Sequence, residues 1–426
     1  MQGVASGVSA RGRLGRATRK GVRRGACRRS ALAGVVGVPP APPIWCGVAT
    51  MRMTPVQKQP GAAAAFSACS VRTLRAFSPM FSGRGGPPVQ AEVELEVDAS
   101  GRERVALKSE GWNYWEWRGH RCHYIVDGPA NGKPVVLVHG FGAHAYHWRY
   151  TIPFLASQGY RVYAPCLLGY GWSAKVHGGG IRYSAELWGE HVADFMREVA
   201  GCGKGGRKAA LAGNSIGSIA ALYAAATAPE LTRALVFVNA AGRFLPKGEG
   251  APPVGGMAAA SRAIADADAD AEGSGEASEG GGGVVAAFKQ LLGRLAAYGI
   301  FYSTRFRVRQ ILKQVYVDHA QVDDDLVESI ERPAREPDAR ECFYYISQSS
   351  GNTRVDVNDL LDSLKIPLLL LWGEQDPWMT PEKASTIRGR YQKAQYAGFV
   401  GGHCPHDDSP EESNRILLDW LKSTAF

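Results

Sequence analysis

The chain has 426 residues, 45% of them apolar, which is enough for at least one large buried core, and no run of eighteen apolar residues suggests a membrane span. Its net charge of +9 is unevenly placed: residues 1–91 hold fourteen Lys and Arg and no acid, whereas the rest holds 35 basic and 40 acidic side chains. A body with a net charge of −5 argues against binding DNA or RNA.

The basic leader is rich in Ala, Gly, Arg and Ser, with Pro-Pro pairs at 39–40 and 42–43. That composition fits an organelle transit peptide, while its weak hydrophobicity fits a secretory signal poorly. We therefore expect residues 1–85 to be a disordered transit peptide, with the chloroplast as destination and the mitochondrion as the alternative. Three of the eight cysteines (Cys27, Cys46 and Cys69) lie in this leader. The other five, Cys122, Cys166, Cys202, Cys342 and Cys404, are odd in number and form no C-x-x-C pair, so reduced thiols and no structural zinc site are expected.

Globular patterning begins after Glu92. Residues 112–127 alternate apolar and polar across an Arg118-Gly119 turn signal, as a hairpin would, with Trp112, Trp115 and Trp117 as packing residues. A continuous apolar run at 135–138 and further strand-length, mostly apolar stretches at 160–164, 208–212, 234–238 and 367–372 then alternate with helical stretches at 148–158, 185–199 and 218–228. This rhythm predicts an α/β chain with a mostly parallel sheet covered by helices on both faces. Reactive residues in such sheets gather at the carboxyl ends of the strands.

Residues 247–283 break the rhythm with Gly, Ala, Ser, Glu and Asp and no periodicity, the composition of a disordered insertion. Helical patterning returns at Val284, where Val284, Phe288, Leu291, Leu292 and Leu295 stand opposite Lys289, Gln290 and Arg294. A second amphipathic stretch places Val308, Ile311, Leu312 and Val315 on one face. Residues 284–355 thus read as a helical lid, set between two parts of one core at 86–246 and 356–426.

Gly213-Asn214-Ser215-Ile216-Gly217 lies between a buried strand and a breaker-free helix, the setting of a nucleophile on a strained turn. A serine hydroxyl needs a base, a carboxylate to orient that base, and donors for the developing oxyanion. His403, which follows the apolar stretch 396–400, is the candidate base. His406 is its competitor, but it precedes a helix start built from Ser409 as N-cap, Pro410 and Glu412, and reads as local structure. Asp376, just past the fifth strand, is the orienting acid, with Glu374 as the alternative carboxylate. The oxyanion donors are the backbone N–H groups of Phe141 and Ile216. His139 reads as structural, and His144 and His147 as packing. Nothing in this set calls for a cofactor or a metal ion.

Four segments together resemble the α/β-hydrolase fold: His139-Gly140-Phe141-Gly142, the Ser215 elbow, Trp372-Gly373-Glu374-Gln375-Asp376-Pro377, and Gly401-Gly402-His403-Cys404-Pro405-His406. Finer matches in 312–319, in Asp376-Pro377-Trp378 and in 402–407 resemble plastid hydrolases of the pheophytinase and chlorophyll dephytylase type. The resemblance implies cleavage of the phytyl ester of a chlorin. Relatives of that type usually carry an aspartate where this chain has Cys166, which puts the local loop geometry in question.

The expected activity is hydrolysis of a carboxylic ester through an acyl-enzyme, on an apolar small-molecule substrate. The alternative is a ligand-binding receptor or scaffold on a hydrolase fold with little turnover. Dehalogenases and epoxide hydrolases of this fold use an aspartate at the elbow, where this chain has Ser215. No nucleic-acid partner is expected, the lid offers a surface for peripheral membrane contact, and no signal for an oligomeric state stands out.

Overall fold

The computed structural model describes residues 90–248, 282–348 and 355–424. The leader expected over 1–85 and most of the stretch at 247–283 lie outside them. A small antiparallel ribbon, β1 (Leu95–Val97) with β2 (Glu103–Val105), precedes the main sheet. The sheet comprises β3 (Asn113–Trp117), β4 (His120–Asp127), β5 (Lys133–Val138), β6 (Tyr160–Pro165), β7 (Ala209–Asn214), β8 (Thr232–Val238), β9 (Leu368–Gly373) and β10 (Ala394–Phe399). Its order is β10-β9-β8-β7-β5-β6-β4-β3, parallel throughout except where β4 meets β3 and β6. The β3–β4 hairpin turns on Arg118 and Gly119, both at positive φ (51° and 78°), which suits the right-handed twist of the flanking strands.

Burial on both faces explains the unbroken apolar runs in β5, β8 and β9. Side chains alternate along each strand. Val136, Val138, Leu211, Phe237 and Leu370 pack with α2 (Ala185–Glu198) and α3 (Ile216–Thr227) on one face. Val135, Leu137, Ala212, Val236 and Leu371 pack on the other with α1 (Thr151–Ser157) and the C-terminal helix at Pro410–Ser423. The strand order reverses at β5, which has β6 on one side and β7 on the other. A crevice at the carboxyl ends follows from that reversal.

Between β8 and β9 lie α4 (Gly282–Arg305), α5 (Val308–Val315), α6 (Asp324–Glu331), α7 (Ala339–Ser347) and α8 (Val357–Ser363). Val308, Leu312 and Val315 of α5 are buried against Leu326 of α6 and against Cys404 of the core. The stripe on α4 behaves differently. An amphipathic helix ordinarily turns its apolar face inward, yet Leu291, Leu292 and Leu295 are exposed, while Gln290 and Arg294 on the opposite side are half-buried. The remaining α-helices among the described residues are α9 (Pro381–Arg390), the single turn α10 (Pro405–Asp408) and α11 (Pro410–Ser423). No helix among the described residues is long and apolar enough to cross a membrane.

Candidate active site

Ser215 sits between β7 and α3 with φ 54° and ψ −121°, a backbone conformation that costs a non-glycine residue roughly 1–3 kcal/mol. The two flanking glycines make the turn sterically feasible. A Cβ on Gly213 would stand 2.3 Å from the Gly217 carbonyl oxygen, and one on Gly217 2.4 Å from that of His139. Ile216 is the first residue of α3, so its N–H has no acceptor within the helix and lies at the positive end of the helix dipole.

The loop after β5 rests against this elbow because Gly140 has no side chain: a Cβ there would come 2.8 Å from Asn214 Oδ1 and 3.1 Å from Ser215 Cβ. His139 clamps the loop. The Leu167 N–H donates to its Nε2 (3.0 Å), so Nδ1 carries the proton and donates to the Gly140 carbonyl (2.8 Å). Burial lowers its pKa to about 4, which keeps this one neutral tautomer in place. The Phe141 N–H meets no protein acceptor among the described residues.

Asp376 follows β9 and His403 follows β10, so both leave the sheet on the edge that carries Ser215. His403 Nδ1 lies 2.7 Å from Asp376 Oδ2. Burial pushes the Asp376 carboxyl up, but the hydrogen bond and charge of His403, with the amides of Trp378 and Met379, outweigh it and hold the group below its ordinary value. Glu374 is turned away and accepts from the Tyr396 hydroxyl at 2.9 Å. No hydrogen bond joins the Ser215 hydroxyl to the His403 ring, a contact that catalytic sites often tighten only with substrate bound.

Two asparagines brace these groups, and neither was singled out from sequence. Asn239, the residue after β8, has φ 43° and donates to Asp376 Oδ2 (2.9 Å) and the Gly373 carbonyl (3.0 Å). A polar residue closing an otherwise apolar strand was the available signal. Asn214 donates to the carbonyls of His403 (2.9 Å) and Val238 (3.1 Å), tying the elbow to the loop that bears the imidazole.

His406 takes no part in this contact set. Its ring stacks on Trp148 at 3.9 Å, and burial pushes its pKa down to about 3. The helix start beyond it is where sequence placed it, but its cap differs: the Ser409 hydroxyl donates to the Val400 carbonyl (3.1 Å) and leaves the first turn of α11 uncapped. The acids just beyond it anchor the loop that bears His403. Asp408 accepts from the amides of Gly402 (2.6 Å), Val317 (3.1 Å) and Asp318 (2.8 Å), and the His403 N–H donates to the Val315 carbonyl (2.8 Å). Cys166 is fully buried, with its sulfur 3.0 Å from His123 Nδ1 and 3.4 Å from the Ala145 amide. The five cysteines of the body are free. Among the described residues, no group of three or more His, Cys, Asp and Glu is placed to hold a metal ion.

Next to the site is a cavity lined mostly by apolar and aromatic side chains and partly open to solvent. Phe141 and Tyr170 line it from the core, and Phe301, Val308, Phe343 and Ile346 from the inserted helices. Ser215 and His403 do not line it; the cavity reaches the site at Phe141, whose ring meets Tyr170 (6.1 Å) and Phe343 (6.2 Å) edge to face.

Residues 135–416 match the family model described as the alpha/beta hydrolase family. The chloroplastic pheophytinase of Arabidopsis thaliana is 28% identical over 345 residues, covering 73% of this chain and 66% of that protein. Bifunctional epoxide hydrolase 2 of Sus scrofa is 25% identical over 330 residues, covering 72% of this chain and 54% of its own length. The chain thus spans just under two thirds of the first relative and about half of the second. Among solved structures, a serine hydrolase involved in carbazole degradation superposes with a TM-score of 0.53 at 22% identity, covering 73% of this chain and 98% of its own. With the strand order, the elbow and a family match across most of the described residues, this chain belongs to the alpha/beta hydrolase family.

Proposed function

We propose that this chain is a serine hydrolase that cleaves a carboxylic ester through an acyl-enzyme, with the helices between β8 and β9 as its lid. The observation that carries the proposal is the His403–Asp376 pair at 2.7 Å, on the same sheet edge as a serine held at φ 54°. Ser215 Oγ attacks the ester carbonyl as His403 Nε2 takes its proton. Asp376, kept ionised, accepts from Nδ1 and stabilises the imidazolium that forms. The oxyanion turns to the N–H groups of Ile216 and Phe141, each worth roughly 3–4 kcal/mol in the transition state. As the tetrahedral adduct collapses, His403 returns the proton to the leaving alkoxide. Water, deprotonated by the same imidazole, then releases the acyl group and restores the serine.

Serine at the elbow also bears on the epoxide hydrolase and dehalogenase readings. Attack by a carboxylate on an alkyl carbon gives an ester that water can open at its carbonyl. Attack by a serine would give an ether with no carbonyl to open. The substrate we favour has a large apolar part, in keeping with the aromatic cavity beside Phe141. The phytyl ester of pheophytin or chlorophyll is the specific candidate, supported by the similarity to a protein named as a chloroplastic pheophytinase. On the same grounds, together with the composition of residues 1–85, we assign the chain to the chloroplast.

A fluorophosphonate probe should label the full chain and leave Ser215→Ala unlabelled, with both proteins unfolding at the same temperature. Labelling of the variant would remove Ser215 as nucleophile. Incubation with pheophytin, chlorophyll and glycerolipid esters then tests the substrate. Phytol released by steady turnover supports the phytyl ester, whereas one acyl transfer without turnover supports a receptor.

A further inference from the structure

Helix α4 is built inside out. Its inner side carries Ala297, which is buried, and Phe301 and Thr304, which line the cavity. Its outer side carries Leu291, Leu292, Leu295 and Tyr302, continued by Phe306 just past the helix, and these five side chains are 44–79% exposed. Positions 291, 295, 302 and 306 follow one stripe of a helix, so the exposed apolar surface is continuous. Between residues 290 and 304 no charged side chain interrupts the exposed arc. Contiguous exposed apolar surface of this kind marks an interaction site.

Charge indicates the partner. From 282 to 317 the sequence holds Lys289, Arg294, Arg305, Arg307, Arg309 and Lys313 and no Asp or Glu. Arg307 and Lys313 are exposed and meet no acid among the described residues. The body as a whole is acidic, so this segment is a local inversion of its charge. An apolar helix face bordered by cations is the pattern of a helix lying in the plane of a lipid interface, where the leucines enter the acyl boundary and the cations meet anionic headgroups.

We propose that α4 and α5 dock this protein on an anionic lipid bilayer, with Leu291, Leu295, Tyr302 and Phe306 entering the interface. The proposal rests on the ester-hydrolase reading above, because it makes one helix both the membrane contact and a wall of the substrate cavity. An apolar ester dissolved in the bilayer would then reach Phe141 and the elbow by passing beside Phe301, without crossing water. The acidic remainder of the body would be repelled by the same headgroups, which fixes the orientation.

The experiment uses the full chain with phosphatidylcholine vesicles, with and without phosphatidylglycerol, and follows amide hydrogen exchange across 290–306. That readout is local, so binding of vesicles by the basic leader does not contribute to it. Anionic vesicles should slow exchange in this segment about ten-fold. The Leu295→Glu/Phe306→Glu double variant should lose that protection while hydrolysing a short water-soluble ester as the wild type does. Arg307→Glu/Lys313→Glu should lose the preference for anionic over neutral vesicles. Exchange that ignores vesicles overturns the proposal. So does protection that needs no lipid, rises with protein concentration and disappears in the first variant, since the face would then be covered by a second copy. If the wild type fails to hydrolyse the soluble ester yet gains protection on vesicles, the docking surface stands and the esterase reading falls.

Discussion

Around Ser215, each proposed catalytic group is held by several buried hydrogen-bond partners. Asp376 takes donors from Asn239, Trp378 and His403, and His403 is tied through its own backbone to Asn214 and Val315. The inserted helices are the opposite case. Aromatic side chains line one side of α4 while leucines stand in solvent on the other. The contrast separates two demands within one fold. Groups that move protons need fixed geometry, and the ones proposed for that task leave strand ends braced by buried hydrogen bonds. The inserted helices supply the area and reach that the apolar substrate proposed above would need, and they are fastened to the core at separate points, the Val317 and Asp318 amides on Asp408 among them.

One such point is Arg149, and removing it is the strongest way to break the contrast. Its fully buried guanidinium meets Asp407 (2.8 Å) in α10 after His403, and Asp323 (2.8 Å) and the Gln321 carbonyl (2.9 Å) just ahead of α6. Tyr316 completes the cluster by donating to Asp407 at 2.9 Å. Burial pushes the Asp407 carboxyl up against the pull of Arg149. Arg149→Met should therefore leave a buried carboxylate uncompensated and cost about 3–5 kcal/mol in urea unfolding. It should also loosen 315–324 in hydrogen exchange before the central strands open. A loss below about 1 kcal/mol, the range of an exposed ion pair, would mean that the two regions are joined elsewhere.

A smaller effect separates the regions by pH. Burial holds His139 at a pKa of about 4 and His191 and His406 at about 3, and pushes His123, His144 and His147 well below their ordinary value. In the unfolded chain each would protonate near pH 6.5. Below that value the unfolded state binds the extra proton, so stability is full above about pH 6.5 and falls as the pH drops toward the folded values, by about 1.4 kcal/mol per unit and per histidine. His406 stacks on Trp148, and neither ring nitrogen has a hydrogen-bond partner among the described residues. His406→Phe should thus gain about 1.4 kcal/mol relative to wild type when moved from pH 7.5 to about pH 5.5. An unchanged difference between the two pH values would show that His406 takes up its proton in the fold at the same pH as in the unfolded chain.

The strand ends were legible because apolar runs of strand length alternate with helical stretches, and each motif residue directly follows such a run. Ser215 carries an additional signal in its two glycines, which the close approach of Gly217 to the His139 carbonyl explains. Asn239 and Arg149 were not legible. Their partners are 137 and 258 residues away, and local spacing carries no trace of pairs that only the folded sheet brings together. The outward face of α4 was half legible. Periodicity reveals that leucines share a side, but which side is covered depends on what the rest of the chain supplies, and here α7 takes the other one.

The smallest predicted effect lies where the two regions touch. Phe343 of α7 meets Phe141 beside the elbow (6.2 Å) and Phe301 of α4 (5.5 Å), so one ring links the proposed oxyanion loop to the wall of the cavity. Aromatic pairs of this kind contribute about 0.5–1.5 kcal/mol beyond the area they bury. If the cavity binds the apolar part of the ester, Phe343→Ala should raise KM for long-chain p-nitrophenyl esters about five-fold and leave kcat close to wild type. The acetate ester, too short to reach the cavity, should be unaffected. Equal losses on both esters, carried by kcat, would instead mean that Phe343 holds Phe141 in place, and the separation between a rigid site and a compliant wall would then fail at this ring.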